Sequence, residues 1–164
     1  MQNQTELTPR HFMKTITIIH LGLLSAPTLF GFVAYAQAKD TFLDYSNTDD
    51  TFMLVVPIIA LSGIFMGNLL FKQSLIAARK ADSLQNKLAK FQTASLIKYA
   101  LIEGPAFLAA VAFFQTNNLT YLYIATILIL YLYILRPTKD KIEKGLQLRG
   151  DDRDKFNRLD HPIA

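Results

Sequence analysis

Long apolar runs, separated by short polar stretches, set the pattern of this chain, and none of them alternates in polarity as a half-buried strand would. Four runs stand out, at Thr15–Ala36, Thr51–Phe71, Ala94–Gln115 and Leu119–Leu135. A hydrocarbon core about 30 Å thick is crossed by about 20 helical residues, so each run predicts a membrane-spanning helix. A backbone facing lipid must bond to itself, which a helix does within one segment. Transmembrane β-strands are shorter and alternate, and these segments do neither. The predicted fold class is all-α membrane, with four transmembrane helices as two tandem hairpins over residues 1–137 and a charged cytoplasmic tail over residues 138–164.

The polar stretches refine this picture. Residues 72–93 contain no Gly or Pro, and Leu75, Ile76, Leu84, Leu88 and Phe91 recur there among Lys, Arg, Gln and Asn. The second and third helices are therefore expected to continue beyond the bilayer as a helical hairpin. After Pro137, Ile142 and Leu146 predict a short amphipathic turn, followed by mostly charged residues. A tail of that kind is expected to be solvated, the alternative being a basic segment lying on anionic headgroups.

The first and third runs align at an offset of 78 residues. Thr15–Gln37 and Thr93–Gln115 share seven of 23 positions, among them Pro27/Pro105 and Gln37/Gln115. His20 and Lys98, both basic, also fall together. A parallel duplication of a two-helix hairpin accounts for these matches, an arrangement common in transport folds.

Charge fixes the expected orientation. The chain has 164 residues, 17 Lys and Arg, 13 Asp and Glu and a net charge of +4. The first loop is acidic, with Asp40, Asp44, Asp49 and Asp50, whereas Lys72, Arg79, Lys80, Lys87 and Lys90 fill the second. Basic residues also precede the first run and follow the fourth. The positive-inside bias then places both termini and the second loop in the cytoplasm, in a multi-pass protein of the cell inner (plasma) membrane. Charge distributed in this way speaks for a bilayer and against nucleic acid as the partner. Ala34-Tyr35-Ala36 fits a signal-cleavage pattern, but the apolar run before it exceeds the usual core of about 7–15 residues, so an uncleaved first helix is expected. There are no cysteines, and His11, His20 and His161 are far apart, so neither thiol chemistry nor a metal site is expected. No cofactor motif and no catalytic constellation is present, and the chain is not expected to be an enzyme.

One acidic residue stands well inside a run. Glu103 lies about nine residues into the third, roughly 14 Å from its cytoplasmic end. An ionised carboxylate at that depth costs a few kcal/mol, so Glu103 is expected to be protonated unless paired. Span midpoints place Ser25, Ser62 and Thr126 at the same level, which predicts a polar layer around Glu103. Ala100, Ala106 and Ala110 share the helical face of Glu103, and Gly63-xxx-Gly67 offers a matching close-packing surface, with a Glu103–Ser62 contact expected between them. Two readings follow from the chemistry: an H⁺- or Na⁺-binding carboxylate, or a permanently protonated acid that bonds between helices.

The run TASLIKYALIEGPAFLAAVAF, Thr93–Phe113, resembles the ion-binding helix of the rotor-ring c subunit of F-type ATP synthases. Gly63-xxx-Gly67 and Ala78-Arg79 occupy the places of that family's glycine-rich helix and cytoplasmic loop, and the likeness spans roughly Ser62–Phe113. Four helices with a carboxylate only in the second copy, and Ser25 at the matching place in the first, resemble the V-type relatives of that subunit. The resemblance implies that Glu103 binds the transported ion within an oligomer. The chain is also similar to small four-helix bacterial membrane proteins of unassigned function, and the alternative expectation is a non-catalytic structural or assembly component of a larger membrane complex, with Glu103 as a structural acid. Pro105, two residues after Glu103, is expected to kink or loosen its helix.

His20 and Lys98 are expected near the cytoplasmic side, Lys98 snorkelling toward headgroups and His20 anchoring at the interface, with a proton relay as its other reading. Tyr121, Tyr123, Tyr131 and Tyr133 flank the fourth run and read as interfacial belts, or else as the lining of a quinone site.

Overall fold

Each long helix starts just after a small polar side chain that caps it. The computed structural model describes residues 7–47 and 49–163. Thr8 caps α1 (Pro9–Gln37), its Oγ1 accepting from the His11 N–H at 3.2 Å, with Pro9 in the first turn where no donor is needed. Asp50 caps α2 (Thr51–Arg79) through the Phe52 N–H, and Ser83 caps α3 (Leu84–Thr116) through the Asn86 N–H. Asn118 caps α4 (Leu119–Ile134), and Thr138 caps the short α5 (Lys139–Leu146). A last helix, α6 (Gly150–Asn157), closes the chain without a side-chain cap. Asn117 ends α3 in the left-handed conformation, φ 57°, with its N–H returned to the Phe113 carbonyl.

The protein is all-helical among the described residues, apart from one isolated bridge between Phe42 and Asn118. α1, α2 and α3 are long and apolar enough to cross a membrane. α4 has 16 residues, about 24 Å of helix, and passes the same test only together with α5, across a bend of 76°. Pro27, Pro57 and Pro105 all lie inside helices, and α3 runs through Pro105 as one element.

α3 is the central helix, packed along α2, α4 and α1. Half of its most apolar stretch is buried within the protein, against 22% for α1 and α2, which therefore turn most of their apolar surface outward. This arrangement alters the expected hairpins. α3 stands between α1 and α2, so the first two helices are consecutive in sequence but are not a packed pair. α1 instead lies parallel to α3, with His20 against Tyr99, Phe30 against Phe107 and Tyr35 against Phe113. Residues related by the 78-residue offset thus stand at nearly the same height.

The two ends of the bundle are built differently. At one end, the loop from Ala38 to Asp50 is stitched to the α3–α4 turn. The Leu119 N–H donates to the Phe42 carbonyl at 2.8 Å, and the Asn118 side-chain amide donates to the Asp44 carbonyl at 2.6 Å. At the other end, α2 and α3 extend beyond their apolar runs as expected and are interrupted only at Lys80–Ser83. The tail does not project into solvent. Ile142, Leu146, Leu148, Phe156 and Ile163 are buried in one cluster with Phe12, Ile16, Leu75, Leu84, Leu88 and Phe91. Arg79 donates to the Gly145 carbonyl at 2.8 Å, and Lys87 pairs with Asp152 at 2.6 Å. The expectation of a solvated tail is corrected: its few apolar residues are spaced to cover the apolar face that the α2–α3 extension leaves open.

Candidate functional site

Glu103 sits on the row of α3 that meets α1. Tyr99, four residues before it, touches His20, and Phe107, four residues after it, touches Phe30. Glu103 lies between these contacts, at the level of Leu23 to Pro27 of α1. Its side chain is partly exposed, and no side chain among the described residues bonds to its carboxyl.

The predicted polar layer does not assemble around it. Ser25 is exposed and donates to the Gly22 carbonyl at 2.8 Å. Thr126 is exposed and donates to the Leu122 carbonyl at 2.8 Å. A hydroxyl in an apolar setting finds its own helix's carbonyl at no cost in chain reorganisation, and both take that option. Ser62 lies beside Gly63 in the α2–α3 groove with Leu101 and Pro105, nearly opposite Glu103 around α3. The expected Glu103–Ser62 contact is therefore absent.

The glycines do what their spacing predicts, on a different face. Gly63 abuts the Leu101 carbonyl and Pro105, and Gly67 abuts Lys98 and Leu101. Ala106 and Ala110, expected to receive them, pack elsewhere: Ala106 with Ile102, Leu128 and Leu132, and Ala110 near Gly31 of α1. Ala100 is exposed.

Several polar groups are placed otherwise than the sequence pattern predicts. His20, read as an interfacial anchor, is fully buried, with neither ring nitrogen bonded. Lys98 does not snorkel outward; it is 8% exposed, with its ammonium 4.9 Å from the Phe71 ring centre. The four tyrosines divide by the helical period. Tyr123 and Tyr133 face outward as a belt requires, while Tyr121 is fully buried and donates to Asp50. Tyr131 bonds to Asn68, whose amide nitrogen donates to its hydroxyl at 3.0 Å and to the Ile64 carbonyl at 2.9 Å. Reasoning from the sequence misses Asn68 and Ser95. A signal is present in both: a carboxamide inside the second run needs an internal partner, and Ser95, Lys98 and Tyr99 share one helical face.

No group of three or more His, Asp or Glu side chains is placed to hold a metal ion among the described residues. The chain matches no family model, no curated protein and no solved structure.

Proposed function

We propose that this chain is a non-catalytic subunit of a membrane assembly, with α1 to α4 spanning the plasma membrane and Glu103 completed by a neighbouring chain. The observation that carries this reading is the carboxyl of Glu103 at mid-span, partly exposed on the face of α3 that meets α1 and without a side-chain partner among the described residues. A carboxylic acid in hydrocarbon gains most from a hydrogen-bond partner, and another chain laid against this face supplies one. The four-span topology is supported by the apolar α4 and by the charge pattern. The acidic loop lies at one end of the bundle, while the basic α2–α3 extension and the tail share the other, which the positive-inside bias assigns to the cytoplasm.

A second reading is favoured by the partial exposure of Glu103. An open carboxyl at mid-depth exchanges H⁺ or Na⁺ when the remaining ligands come from an adjacent copy, as the resemblance to rotor-ring subunits implies. The two readings part at Glu103→Gln. An amide still bonds between chains, so the assembly reading expects the particle mass in mild detergent to be unchanged. The ion reading expects Na⁺-sensitive carbodiimide labelling at Glu103 and loss of ion-dependent behaviour in the amide variant. A monomer in both mild detergent and nanodiscs, as stable with Glu103→Leu as without it, sinks both.

A further inference from the structure

Where α4 gives way to α5, the bundle holds a cavity of about 300 Å³ lined by Lys98, Lys141, Lys144, Ser95, Tyr99 and Phe71, among others. Three of these side chains are cationic. Lys98 is 8% exposed, yet no carboxylate lies within ion-pair distance of it among the described residues. Lys72 and Lys141 stand close enough for their charges to act on it as well. Ser95 is 1% exposed, and its hydroxyl stands beside the Tyr99 hydroxyl without a well-formed hydrogen bond. Lys141 is held in place by the carbonyls that end α4, donating to Ile134 at 2.6 Å and to Arg136 at 3.0 Å. Of the acidic residues adjacent in sequence, Asp140 and Glu143 line a neighbouring groove that shares Lys144 with this cavity, and Glu143 pairs with Arg153; neither lines the cavity itself.

Buried ammonium groups are normally paired, and buried hydroxyls normally bonded. An anion with several acceptor oxygens satisfies Lys98 and Ser95 together. The setting narrows the class of anion. Phe71 closes the second apolar run and Ser95 stands at the start of the third, so the cavity lies at the membrane boundary, with aromatic and aliphatic walls beneath a cationic rim. A phosphate carried on an acylated glycerol matches both surfaces, and basic pockets between helices at this boundary are suited to such headgroups.

We propose that this cavity binds the phosphate of an anionic phospholipid headgroup, with Lys98 and Ser95 as its buried ligands and Lys144 at the rim. The proposal rests on the chain's membrane insertion and is independent of the role of Glu103. Native mass spectrometry of the full-length protein from zwitterionic detergent tests it, with dioleoylphosphatidylglycerol, dioleoylphosphatidylcholine and inorganic phosphate as probes. Phosphatidylglycerol is expected to be retained at least about fivefold over phosphatidylcholine. Lys98→Met, which keeps the apolar stem and removes the charge, is expected to abolish that preference, and Lys80→Met, at an exposed position, to preserve it. Lys144→Met reads the rim independently should the Lys98 variant lose helicity, and Lys98→Arg is expected to retain binding. Inorganic phosphate binding that depends on Lys98 and displaces the lipid supports the same anion site with a free anion as its source. Equal retention of the two lipids, or an intact preference in both the Lys98→Met and Lys144→Met proteins, overturns the proposal.

Discussion

Gly63 lies directly against the carbonyl oxygen of Leu101, so that a methyl group at position 63 would overlap it. α2 and α3 meet here backbone to backbone, and a carbonyl on a packed helix has no freedom to withdraw. Gly63→Ala is expected to destabilise the protein by about 1–3 kcal/mol, as overpacking does. Gly67 is a built-in control, since a methyl there would stand 3.5 Å from the Lys98 carbonyl oxygen, an ordinary contact. Gly67→Ala should be neutral, or stabilising by up to about 1 kcal/mol through helix propensity. Thermal unfolding followed by circular dichroism in detergent distinguishes the two, and equal damage from both would refute the close-approach account.

Asn118 joins the first loop to the start of α4. It is 2% exposed, caps α4 through the Thr120 N–H at 3.1 Å, accepts from the Asp44 N–H and donates to the Asp44 carbonyl. Asn118→Ala removes a cap and leaves the partly buried Asp44 and Thr120 N–H groups unpaired, although the Thr120 hydroxyl still donates to the Asp44 carbonyl, an expected loss of about 2–3 kcal/mol. Asn117→Gly, at the left-handed end of α3, is expected to be tolerated because glycine adopts φ 57° without strain. Denaturant titration should show a lowered unfolding midpoint for the first variant and an unchanged one for the second. Equal midpoints would contradict the role given to the Asn118 side chain.

Phe156 is fully buried in the cluster that seals the tail against α2 and α3. Phe156→Ala should release α5 and α6 at a cost of about 3–5 kcal/mol to that cluster. Hydrogen exchange is the fitting measurement. Amides in residues 84–91 and 139–157 are expected to exchange faster, and those in residues 99–113 to keep their protection. Uniform acceleration along α3 would mean that the tail is not a separate packing unit.

The acidic loop contains a pH-sensitive turn. The Ser46 backbone N–H and then the Ser46 hydroxyl, each 2.8 Å from Asp44 Oδ1, hold the Asp44 carboxyl below its ordinary value. A depressed carboxyl stabilises the folded turn above its ordinary value, and that contribution is lost as pH falls through the lowered one. A carboxyl-carbon NMR titration should find a lowered Asp44 midpoint that rises, without fully returning, in Ser46→Ala, since the backbone donor remains. A midpoint unaffected by the substitution would rule out the hydroxyl as a cause.

What the sequence determined by itself is the set of helices. Hydropathy places the apolar cores, because a backbone in hydrocarbon has few ways to satisfy its hydrogen bonds. Thr8, Asp50, Ser83, Asn118 and Thr138 mark where helices begin through local bonds that the sequence alone specifies. The extension of α2 and α3 past their apolar runs is legible in the spacing of Leu75, Leu84, Leu88 and Phe91. Glu103 is equally legible as an anomaly, since a carboxylate within a long apolar run needs no structure to be noticed.

Only the tertiary structure decided which faces meet. Membrane helices are apolar on nearly every side, so a periodic pattern that would orient a soluble helix carries little information here. Ser25, Ser62 and Thr126 share the depth of Glu103, but depth is one coordinate and azimuth the other; the way α1, α2 and α4 pack around α3 leaves the three hydroxyls turned away from it. The same packing buried His20 and Lys98 and turned two of the four tyrosines inward. The few apolar residues of the tail are too sparse to reveal, from sequence, that they complete a core whose other half lies more than 50 residues earlier in the chain.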